Sequence, residues 1–411
     1  MRIIHTADIH IGVENYGRVD PATGLSSRLT DFLAAFDQVV DYALENGADL
    51  VLCCGDAYKS RDPSQTHQRE FAKRVARLAT AGIPVFIVVG NHDMPHVFVR
   101  ATALEIFSTL DVANVHVGDS PDTYLVKTAA GPLQIVAVPW IRRGAFLARE
   151  ETRGLTPDQV NNAMEERLDR IIGAQAASLD TDVPAVLAGH LTVSGATTSS
   201  EQSMMLGRDP VLTKSSVALP QFDYVALGHI HKHQILGRDP HVVYSGSLER
   251  IDFGEENDEK GFCVIDLDPA QPAGSRLQAF SFERVDARTF LTISVKVRPD
   301  DTDPTETVLK EVSRHYIDGS IVRLQIQVPA ELEGHLRDGE VRGALENAHF
   351  VASISKEVLD RPRTRLGPGY SRGLDPREAL DVYLATRDIS EDRTELLRSH
   401  AERLMEEQAP D

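Results

Sequence analysis

The sequence predicts an α/β protein in which helices cover layers of β-structure. Short runs rich in Ile and Val, at residues 2–6, 49–54 and 84–89, have the length of buried strands. Between the first two runs, apolar residues recur at helical spacing over residues 29–44, and Gly47 follows where such a helix would end. Polar residues that commonly bind metals stand directly after these strands. The alternation of strand and helix indicates a layered α/β domain.

The same alternation continues towards the middle of the chain. Further helices are predicted at residues 64–81, 97–110 and 156–178, and further strands at residues 133–138 and 183–188. From residue 222 to residue 282 the helical pattern stops and short strands follow one another, at residues 224–227, 242–244, 262–267 and 277–282. These four strands suggest a second sheet that completes the same domain.

The chain is predicted to contain a first domain at residues 1–285 and a smaller α/β domain at residues 286–359. The smaller domain reads strand, helix, strand, helix, strand, at residues 291–297, 305–316, 321–328, 339–348 and 351–358. Residues 360–373 are rich in Gly, Pro and Arg and predict an exposed linker. Residues 374–411 predict a helical segment whose apolar stripes need a partner, either another protein or its own domain.

Length and composition support this organisation. The 411 residues exceed the size at which one hydrophobic core stops growing, about 250–300 residues, so more than one domain is expected. With 42% hydrophobic and 26% charged residues, the composition excludes extensive disorder. The net charge of −19 repels a phosphate backbone unless a basic face or bound cations reverse it locally.

The length of the apolar runs and the character of the first residues predict where the protein is located. No apolar run reaches the roughly 18 residues of a membrane span, and the first residues do not resemble a signal peptide, so a cytoplasmic protein with no membrane contact is expected. The three cysteines, Cys53, Cys54 and Cys263, lack the spacing of a zinc site and are expected to be small core residues.

Five short motifs stand at the ends of predicted strands. They are Asp8-Ile9-His10, Gly55-Asp56, Gly90-Asn91-His92-Asp93, Gly189-His190 and Gly228-His229-Ile230-His231. Because ligands bind at the carboxyl ends of strands in α/β sheets, we expect one site to gather all five. Taken singly each motif is weak, since an isolated histidine is more often a hydrogen-bonded structural residue. The ordered series is what favours a shared site.

The motifs supply a mixed set of nitrogen and oxygen ligands. The candidate metal ligands are Asp8, His10, Asp56, Asn91, His190, His229 and His231. This set exceeds the needs of one ion and suits Mn, Fe, Co or Zn better than Ca or Mg. Two divalent cations against the two carboxylates leave a net positive charge, which is the local reversal needed to hold a phosphodiester.

The ordered series resembles the calcineurin-like metallophosphoesterase superfamily, whose pattern runs D-x-H, G-D, G-N-H-[DE], G-H and G-H-x-H. The likeness is closer to its branch of SbcD-type DNA-repair nuclease subunits, through residues 3–12, 244–250 and 260–262 and the helical tail. It covers essentially the whole chain. The resemblance implies a four-layer sandwich of two mixed sheets flanked by helices, a small α/β capping domain that binds DNA, and a helical segment that binds an ATPase.

The resemblance also implies roles for the motif residues. One metal would be held by Asp8, His10 and His231 and the other by Asn91, His190 and His229, with Asp56 bridging the two. The expected cofactors are two Mn²⁺ ions per chain, with Mg²⁺, Co²⁺ or Fe²⁺ as alternatives. His92 is the candidate catalytic residue, which would protonate the leaving oxygen or steady the pentacoordinate state. Asp93 is expected to orient a ligand histidine, or to cap the following turn.

Basic residues near the motifs are candidates for contact with DNA. Lys59 and Arg61 follow the Gly55-Asp56 motif, and Arg142 and Arg143 follow Trp140. Lys59 departs from the family pattern, in which a histidine or an acid often stands at this position. A solvated loop and ordinary surface charges are the alternatives for these residues. The remaining histidines are expected to be structural or exposed, and His233 is expected to lie close to the site.

The function implied by the resemblance is that of a DNA nuclease subunit in double-strand-break repair, recombination and replication. The family cleaves duplex ends as a 3′ to 5′ exonuclease and single strands or hairpins as an endonuclease. The implied partners are DNA, an SbcC-type coiled-coil ATPase and a second copy of the chain, in a nucleoid-associated heterotetramer. A small-substrate phosphodiesterase or phosphatase of the same superfamily is the first alternative. A non-catalytic scaffold for the ATPase is the second.

Overall fold

A computed structural model gives the fold and describes residues 1–95, 100–142, 154–198, 209–359, 380–381, 384 and 391–407. The chain divides into two compact units. The first comprises Met1–Ile293, His315–Leu324 and Ala344–Ile354. The second comprises Ser294–Arg314, Gln325–Gly343 and Ser355–Asp411. The boundaries at residues 285 and 359 stay a prediction. The expected linker at residues 360–373 and much of the segment 374–411 lie outside the described residues.

A six-stranded mixed sheet, called the first sheet, forms half of the first unit's core. Its strands are β1 (Arg2–Thr6), β2 (Leu50–Cys53), β3 (Val85–Val88), β4 (Val115–Gly118), β13 (Gly261–Leu267) and β14 (Leu277–Arg284). Their order in the sheet is β14-β13-β1-β2-β3-β4. Strands β1 to β4 run parallel, and β13 joins β1 antiparallel. The carboxyl ends of β1, β2 and β3 therefore share one edge of the sheet.

A second six-stranded sheet packs against the first. Its strands are β5 (Asp122–Thr128), β6 (Gly131–Val138), β7 (Ala185–His190), β10 (Tyr224–Gly228), β11 (Gln234–Arg238) and β12 (His241–Tyr244). Their order in the sheet is β11-β12-β10-β7-β6-β5. Buried apolar residues of both sheets form one cluster, in which Leu52 and Phe86 of the first sheet join Ile135 and Ala226 of the second. This interface is the centre of the domain.

Helices cover the outer faces of both sheets. Helices α1 (Ser27–Glu45) and α2 (Gln65–Thr80) lie on the first sheet, where the rings of Phe36 and Phe71 stack with centroids 5.7 Å apart. Helix α4 (Pro157–Ala177) packs its buried face on the second sheet and begins with a capping box between Thr156 and Gln159. The layers are helix, sheet, sheet, helix, which confirms the expected four-layer sandwich.

Two details of the sequence prediction are wrong. Strands β13 and β14 belong to the first sheet, although they were expected in the second with β10 and β12. Sequence order does not reveal this, because β13 returns to the free edge of β1 more than 250 residues along the chain. The helix expected at residues 97–110 is described only as α3 (Glu105–Thr109), since residues 96–99 lie outside the described part and residues 100–104 are not helical.

The remaining elements are short or belong to the carboxyl-terminal part. They are β8 (Thr192–Val193), β9 (Val211–Leu212), α5 (Lys214–Val217), β15 (Phe290–Lys296), α6 (Pro304–Val312), β16 (Ile321–Pro329), α7 (Asp338–Gly343), β17 (Phe350–Leu359) and α8 (Glu391–Glu407). Strands β15, β16 and β17 form a sheet in that order. Within the described residues, every helix is too short or too polar to cross a bilayer.

A buried ion-pair network fixes the start of α1 inside the first unit. The guanidinium of Arg28 has no exposure and donates to Asp31 at 2.8 Å, to Glu249 at 3.0 Å and to the carbonyl of Arg250 at 2.6 Å. The backbone N–H of Arg288 donates to the other oxygen of Glu249 at 2.6 Å. Removing the cation would leave the fully buried Glu249 carboxylate without its charge partner.

We expect Arg28→Met to lower the free energy of unfolding by about 3–5 kcal/mol, because it leaves a buried carboxylate uncompensated. Arg77→Met is the control, since Arg77 pairs with Asp37 and Asp41 but keeps 45% of its side chain exposed. The control should cost less than about 1 kcal/mol. Urea unfolding followed by circular dichroism measures both changes, and equal losses would contradict the role given to Arg28.

Candidate metal centre

The carboxyl ends of five strands from the two sheets meet at one place. Strands β1, β2 and β3 of the first sheet lead into three of the sequence motifs, and β7 and β10 of the second sheet carry the other two. The side chains gathered there are Asp8, His10, Asp56, Asn91, His190, His229 and His231. Six of the seven are buried, and Asn91 is half-buried. The sequence expectation that one site unites the motifs agrees with this geometry.

The donors form two groups that share carboxylates. The ligand atoms of Asp8, His10 and His231 lie within 4.8 Å of one another, and so do those of Asp8, Asp56 and His190. One oxygen of Asp56 lies 3.7 Å from Nε2 of His10 and the other lies 3.5 Å from Nε2 of His190. A carboxylate that offers one oxygen to each group is placed to bridge two cations.

Asn91 completes the second group. Its Oδ1 lies 2.9 Å from Nε2 of His190 and 3.1 Å from Nδ1 of His229. In the first group, Nε2 of His10 lies 3.0 Å from Nε2 of His231. Each group therefore offers two imidazole nitrogens and at least one oxygen, the mixed donor set preferred by first-row transition metals.

The hydrogen bonds of two histidines test whether a cation fits. Nδ1 of His190 donates to the carbonyl of Cys54 at 2.8 Å, so its Nε2 faces the oxygens of Asn91 and Asp56. Nδ1 of His231 donates to the carboxylate of Glu255 at 2.7 Å, which leaves the Nε2 lone pair directed at the cluster. A lone pair that faces other acceptors is repelled unless a proton or a cation lies between them. The donor set therefore fits bound divalent cations.

Four of the donor residues adopt left-handed backbone conformations. The φ angles are 50° at Asp8, 49° at His10, 54° at Asp56 and 95° at His229. Such angles cost free energy in residues other than glycine, about 1–3 kcal/mol each, and persist where surrounding structure enforces them. The strand ends are therefore turned sharply so that their side chains converge.

Glycines before the donors allow the strand ends to approach. A β-carbon on Gly90 would lie 2.1 Å from Oδ1 of Asp56, and one on Gly55 would lie 2.2 Å from Nδ1 of His190. Both distances are far below van der Waals contact. Any side chain at these positions would push apart the donors that the site brings together.

Burial and mutual charge separate the protonation states of the carboxylates. Burial raises the pKa of Asp8 to about 6. Burial also acts to raise the pKa of Asp56, but the charge of His190 outweighs it and holds that pKa well below its ordinary value. For His190, burial acts to lower the pKa, while the Asp56 carboxylate raises it to about 9. The Asp56 position thus attracts positive charge most strongly.

A buried pair that the sequence did not indicate supports His231. Glu255 is fully buried, and its second carboxylate oxygen accepts from Nζ of Lys260 at 2.8 Å. Lys260 also donates to Oγ of Ser247 at 2.8 Å and to the carbonyl of His231 at 3.2 Å. This arrangement fixes the tautomer and ring orientation of His231. Glu255 follows no strand end, so no motif marked it.

His92 and Asp93 occupy different positions beside the donors. The backbone N–H of His92 donates to Asp56 at 2.8 Å, its Nδ1 donates to the carbonyl of Lys59 at 2.9 Å, and its ring meets that of His10 edge-on at 5.0 Å. The buried Asp93 accepts the backbone N–H groups of Gly90 at 3.0 Å and Tyr58 at 3.1 Å. Asp93 therefore joins the turns that present Asp56 and Asn91, both of which precede it in the chain. Its expected role in orienting a ligand histidine or capping the following turn stays a prediction.

The four basic residues predicted to contact DNA lie in different parts of the chain. Nε of Arg61 donates to the backbone carbonyl of Asn91 at 3.2 Å, and half-buried Lys59 offers its carbonyl to His92. Arg142 lines a cavity behind Trp140. Arg143 lies outside the described residues. Contact of these residues with DNA stays a prediction.

Other residues of interest serve the core. His5 is buried between the hydroxyl of Tyr224 and the carbonyl of Leu227, and His233 stacks on Phe282 with centroids 4.0 Å apart. Cys53, Cys54 and Cys263 are free and buried, which confirms their expected role as core residues.

The fold and the donor set together define a class. A layered α/β sandwich whose strand ends hold two linked groups of His, Asp and Asn donors is the arrangement of a metal-dependent phosphoesterase. The model of the calcineurin-like phosphoesterase family matches residues 1–233, and this chain belongs to that family.

Individual relatives point to one branch of the family. The chain is 26% identical to the D subunit of nuclease SbcCD from Escherichia coli K12, over 62% of this chain and 62% of that protein. It is 25% identical to the D subunit of nuclease SbcCD from Staphylococcus epidermidis, over 66% of this chain and 67% of that protein. A protein of Thermus thermophilus with a crystal structure is 17% identical over 69% of this chain and 98% of that one, with a TM-score of 0.36.

We expect Glu255→Gln to weaken Mn²⁺ binding about 10- to 100-fold, because residues that orient a ligand histidine contribute on this scale. The double variant Glu255→Gln with Lys260→Met removes the unpaired buried ammonium and should show the same loss with restored stability. Isothermal titration calorimetry measures the affinity.

Glu259→Gln is the control, since Glu259 is half exposed and pairs with Arg284 away from the donors. The control should bind Mn²⁺ as the unaltered protein does. Unchanged affinity in both Glu255 variants would remove the role given to Glu255.

Proposed function

We propose that this protein is the nuclease subunit of an SbcCD-type complex that hydrolyses DNA phosphodiesters at a two-cation centre. The observation that carries the proposal is the pair of linked donor groups, with Asp56 lying between His10 and His190. Bound divalent cations would activate the phosphoryl group as Lewis acids and neutralise its charge. The likeness to the D subunits of two SbcCD nucleases supports DNA as the substrate.

The chain's own residues account for positioning and proton transfer. In the proposal Asp8, His10 and His231 hold one cation, and Asn91, His190 and His229 hold the other, with Asp56 shared. We expect Mn²⁺ in both positions, with Mg²⁺, Co²⁺ or Fe²⁺ as substitutes. Glu255 and Asp93 keep the donors in place through the contacts described above.

His92 is the proposed catalytic residue. Its Nδ1 donates to the Lys59 carbonyl at 2.9 Å, which fixes the ring beside His10 and leaves Nε2 as the ring atom available to a substrate. The imidazole is half-buried, so part of it remains accessible to a substrate. Because Nδ1 donates to the Lys59 carbonyl, His92 would act as the imidazolium, whose Nε2–H protonates the leaving oxygen or donates a hydrogen bond to the charged transition state and so lowers the barrier to cleavage.

The rest of the chain supports the assembly role of the proposal. Leu396 and Leu397 of α8 are 56% and 42% exposed, as expected of a segment that binds an SbcC-type coiled-coil ATPase. Ile106 of α3 and the adjacent Leu110 are 49% and 67% exposed, as expected of a homodimer contact. Residues 286–359 would form the DNA-binding capping domain. The complex would act on chromosomal DNA in the nucleoid, in the repair, recombination and replication of DNA.

A small-substrate phosphodiesterase is the alternative that shares the same centre. The two differ in substrate, so duplex DNA labelled at its 3′ or 5′ end is compared with bis(p-nitrophenyl) phosphate in Mn²⁺. Release of 3′-end label first, with cleavage of hairpins and single strands, supports the proposal. Hydrolysis of the chromogenic diester with intact DNA would contradict it. A scaffold without activity would cleave neither substrate.

We expect His92→Ala to keep Mn²⁺ affinity and to lower kcat for DNA cleavage about 10²- to 10⁴-fold, the usual range for loss of a general acid. Calorimetry measures the metal and a gel assay measures cleavage. His116→Ala is the control, because His116 is also a half-buried histidine but lies on β4. Loss of metal with His92, or full activity without it, would exclude the assignment.

We expect Leu396→Glu with Leu397→Glu to abolish co-purification with a coiled-coil ATPase, because the exposed apolar surface of α8 becomes charged. The control is Ser399→Glu, which adds charge to an already exposed position of the same helix. Affinity capture of the tagged chain followed by mass spectrometry gives the result. Capture of the ATPase by the double variant would show that α8 is not the contact.

A further inference from the structure

A cavity of about 300 Å³ lies behind the metal centre in the first unit. Its apolar wall includes Val89, Met94, Trp140 and Ile141, and its charged lining residues are Arg100, Arg142 and Asp119. This volume lies at the low end for small-molecule sites, which bury a ligand between apolar walls and a few placed polar groups.

The cavity shares a wall with the metal centre. The indole of Trp140 lies 5.0 Å from the imidazole of His229 and 6.2 Å from that of His190, measured between ring centroids. The backbone N–H of Trp140 donates to the carbonyl of Val89 at 2.9 Å, one residue before the Gly90-Asn91 turn. A group in the cavity would therefore lie beside a phosphate held by the donors.

The cavity lining holds more cations than anions, two arginines against Asp119, although the chain as a whole is acidic. The net charge of the whole chain is −19, yet Arg100 and Arg142 both line the cavity. Burial first and the charge of Arg61 second lower the pKa of Arg142, so these two guanidinium groups lie close enough to repel each other. Arg100 forms an exposed ion pair with Asp62 at 3.4 Å. This excess of positive charge favours an anionic ligand.

We infer that this cavity, called the base pocket, receives the nucleobase of the nucleotide whose phosphate lies at the metal centre. A planar ring would stack on Trp140 between apolar side chains, and the arginines would contact the adjoining phosphates. This inference rests on the proposed nuclease function and deepens it. A base in the pocket must leave its stack and its pairing partner, so the pocket would select frayed ends and single strands.

Trp140 is the sole tryptophan in the sequence, so its fluorescence reports on the base pocket alone. The protein, kept in chelator so that no cleavage occurs, is titrated with thymidine 5′-monophosphate and separately with deoxyribose 5-phosphate. We expect saturable quenching by the nucleotide. Deoxyribose 5-phosphate should bind at least about tenfold more weakly, because base stacking on an aromatic side chain contributes at this scale.

Two variants make the binding test specific. Met94→Ala with Ile141→Ala removes apolar contacts from the pocket wall and should weaken nucleotide binding. Leu125→Ala is the control, since Leu125 is 64% exposed on β5 and does not line the cavity. Equal responses to the nucleotide and to deoxyribose 5-phosphate, or equal affinities in all proteins, would overturn the inference.

Cleavage of modified DNA separates this inference from the proposed function. A single strand carrying one abasic site beside the preferred cleavage position should be cut there about tenfold more slowly than the unmodified strand. Cleavage at an unchanged rate would remove the base pocket and leave the nuclease proposal standing. Saturable nucleotide binding in a protein that cuts no DNA would support the base pocket and contradict the nuclease proposal.

Discussion

The close approach of two strand ends from different sheets is the constraint on which the rest of the structure depends. A β-carbon on Gly228, at the end of β10, would lie 2.0 Å from the carbonyl oxygen of Cys54, which follows β2. Only glycine allows this contact. This close approach of the two backbones brings His229 and His231 beside Asp8 and Asp56, and the donor groups depend on it.

Charge and hydrogen bonding then hold the donors in a state prepared for cations. Asp56 remains ionised although it is buried, because its oxygens face His10 and His190. Glu255 accepts the hydrogen bond from Nδ1 of His231 and so holds that ring in place, and Lys260 compensates the charge of Glu255. Buried charges of this kind are stable only as a complete set. Hydrogen bonds therefore orient donor histidines in the absence of metal, and such orientation raises metal affinity.

Much of this arrangement follows from the sequence, and the parts that do not follow have physical reasons. The strands that carry the motifs were predicted because each is a short apolar run that ends in a glycine or a polar residue. The sheet membership of β13 was not, because pairing with β1 depends on contacts more than 250 residues apart. The positions of Glu255, Lys260 and Trp140 beside the donors were missed because only folding brings these side chains to the site, and no strand-end motif marks them. The left-handed backbone at Asp8 and His10 leaves no mark in the sequence at all.

The order of the donors along the chain has a consequence for biosynthesis. The first group needs Asp8 and His10 from the beginning of the chain and His231 from beyond its midpoint. Strand β1 also stays unpaired on one side until β13, at Gly261–Leu267, leaves the ribosome. A growing polypeptide that has not yet reached His231 therefore holds only part of the cation cage. Under the proposed function, a nascent chain that lacks His231 has an incomplete first donor group and is not expected to cleave DNA.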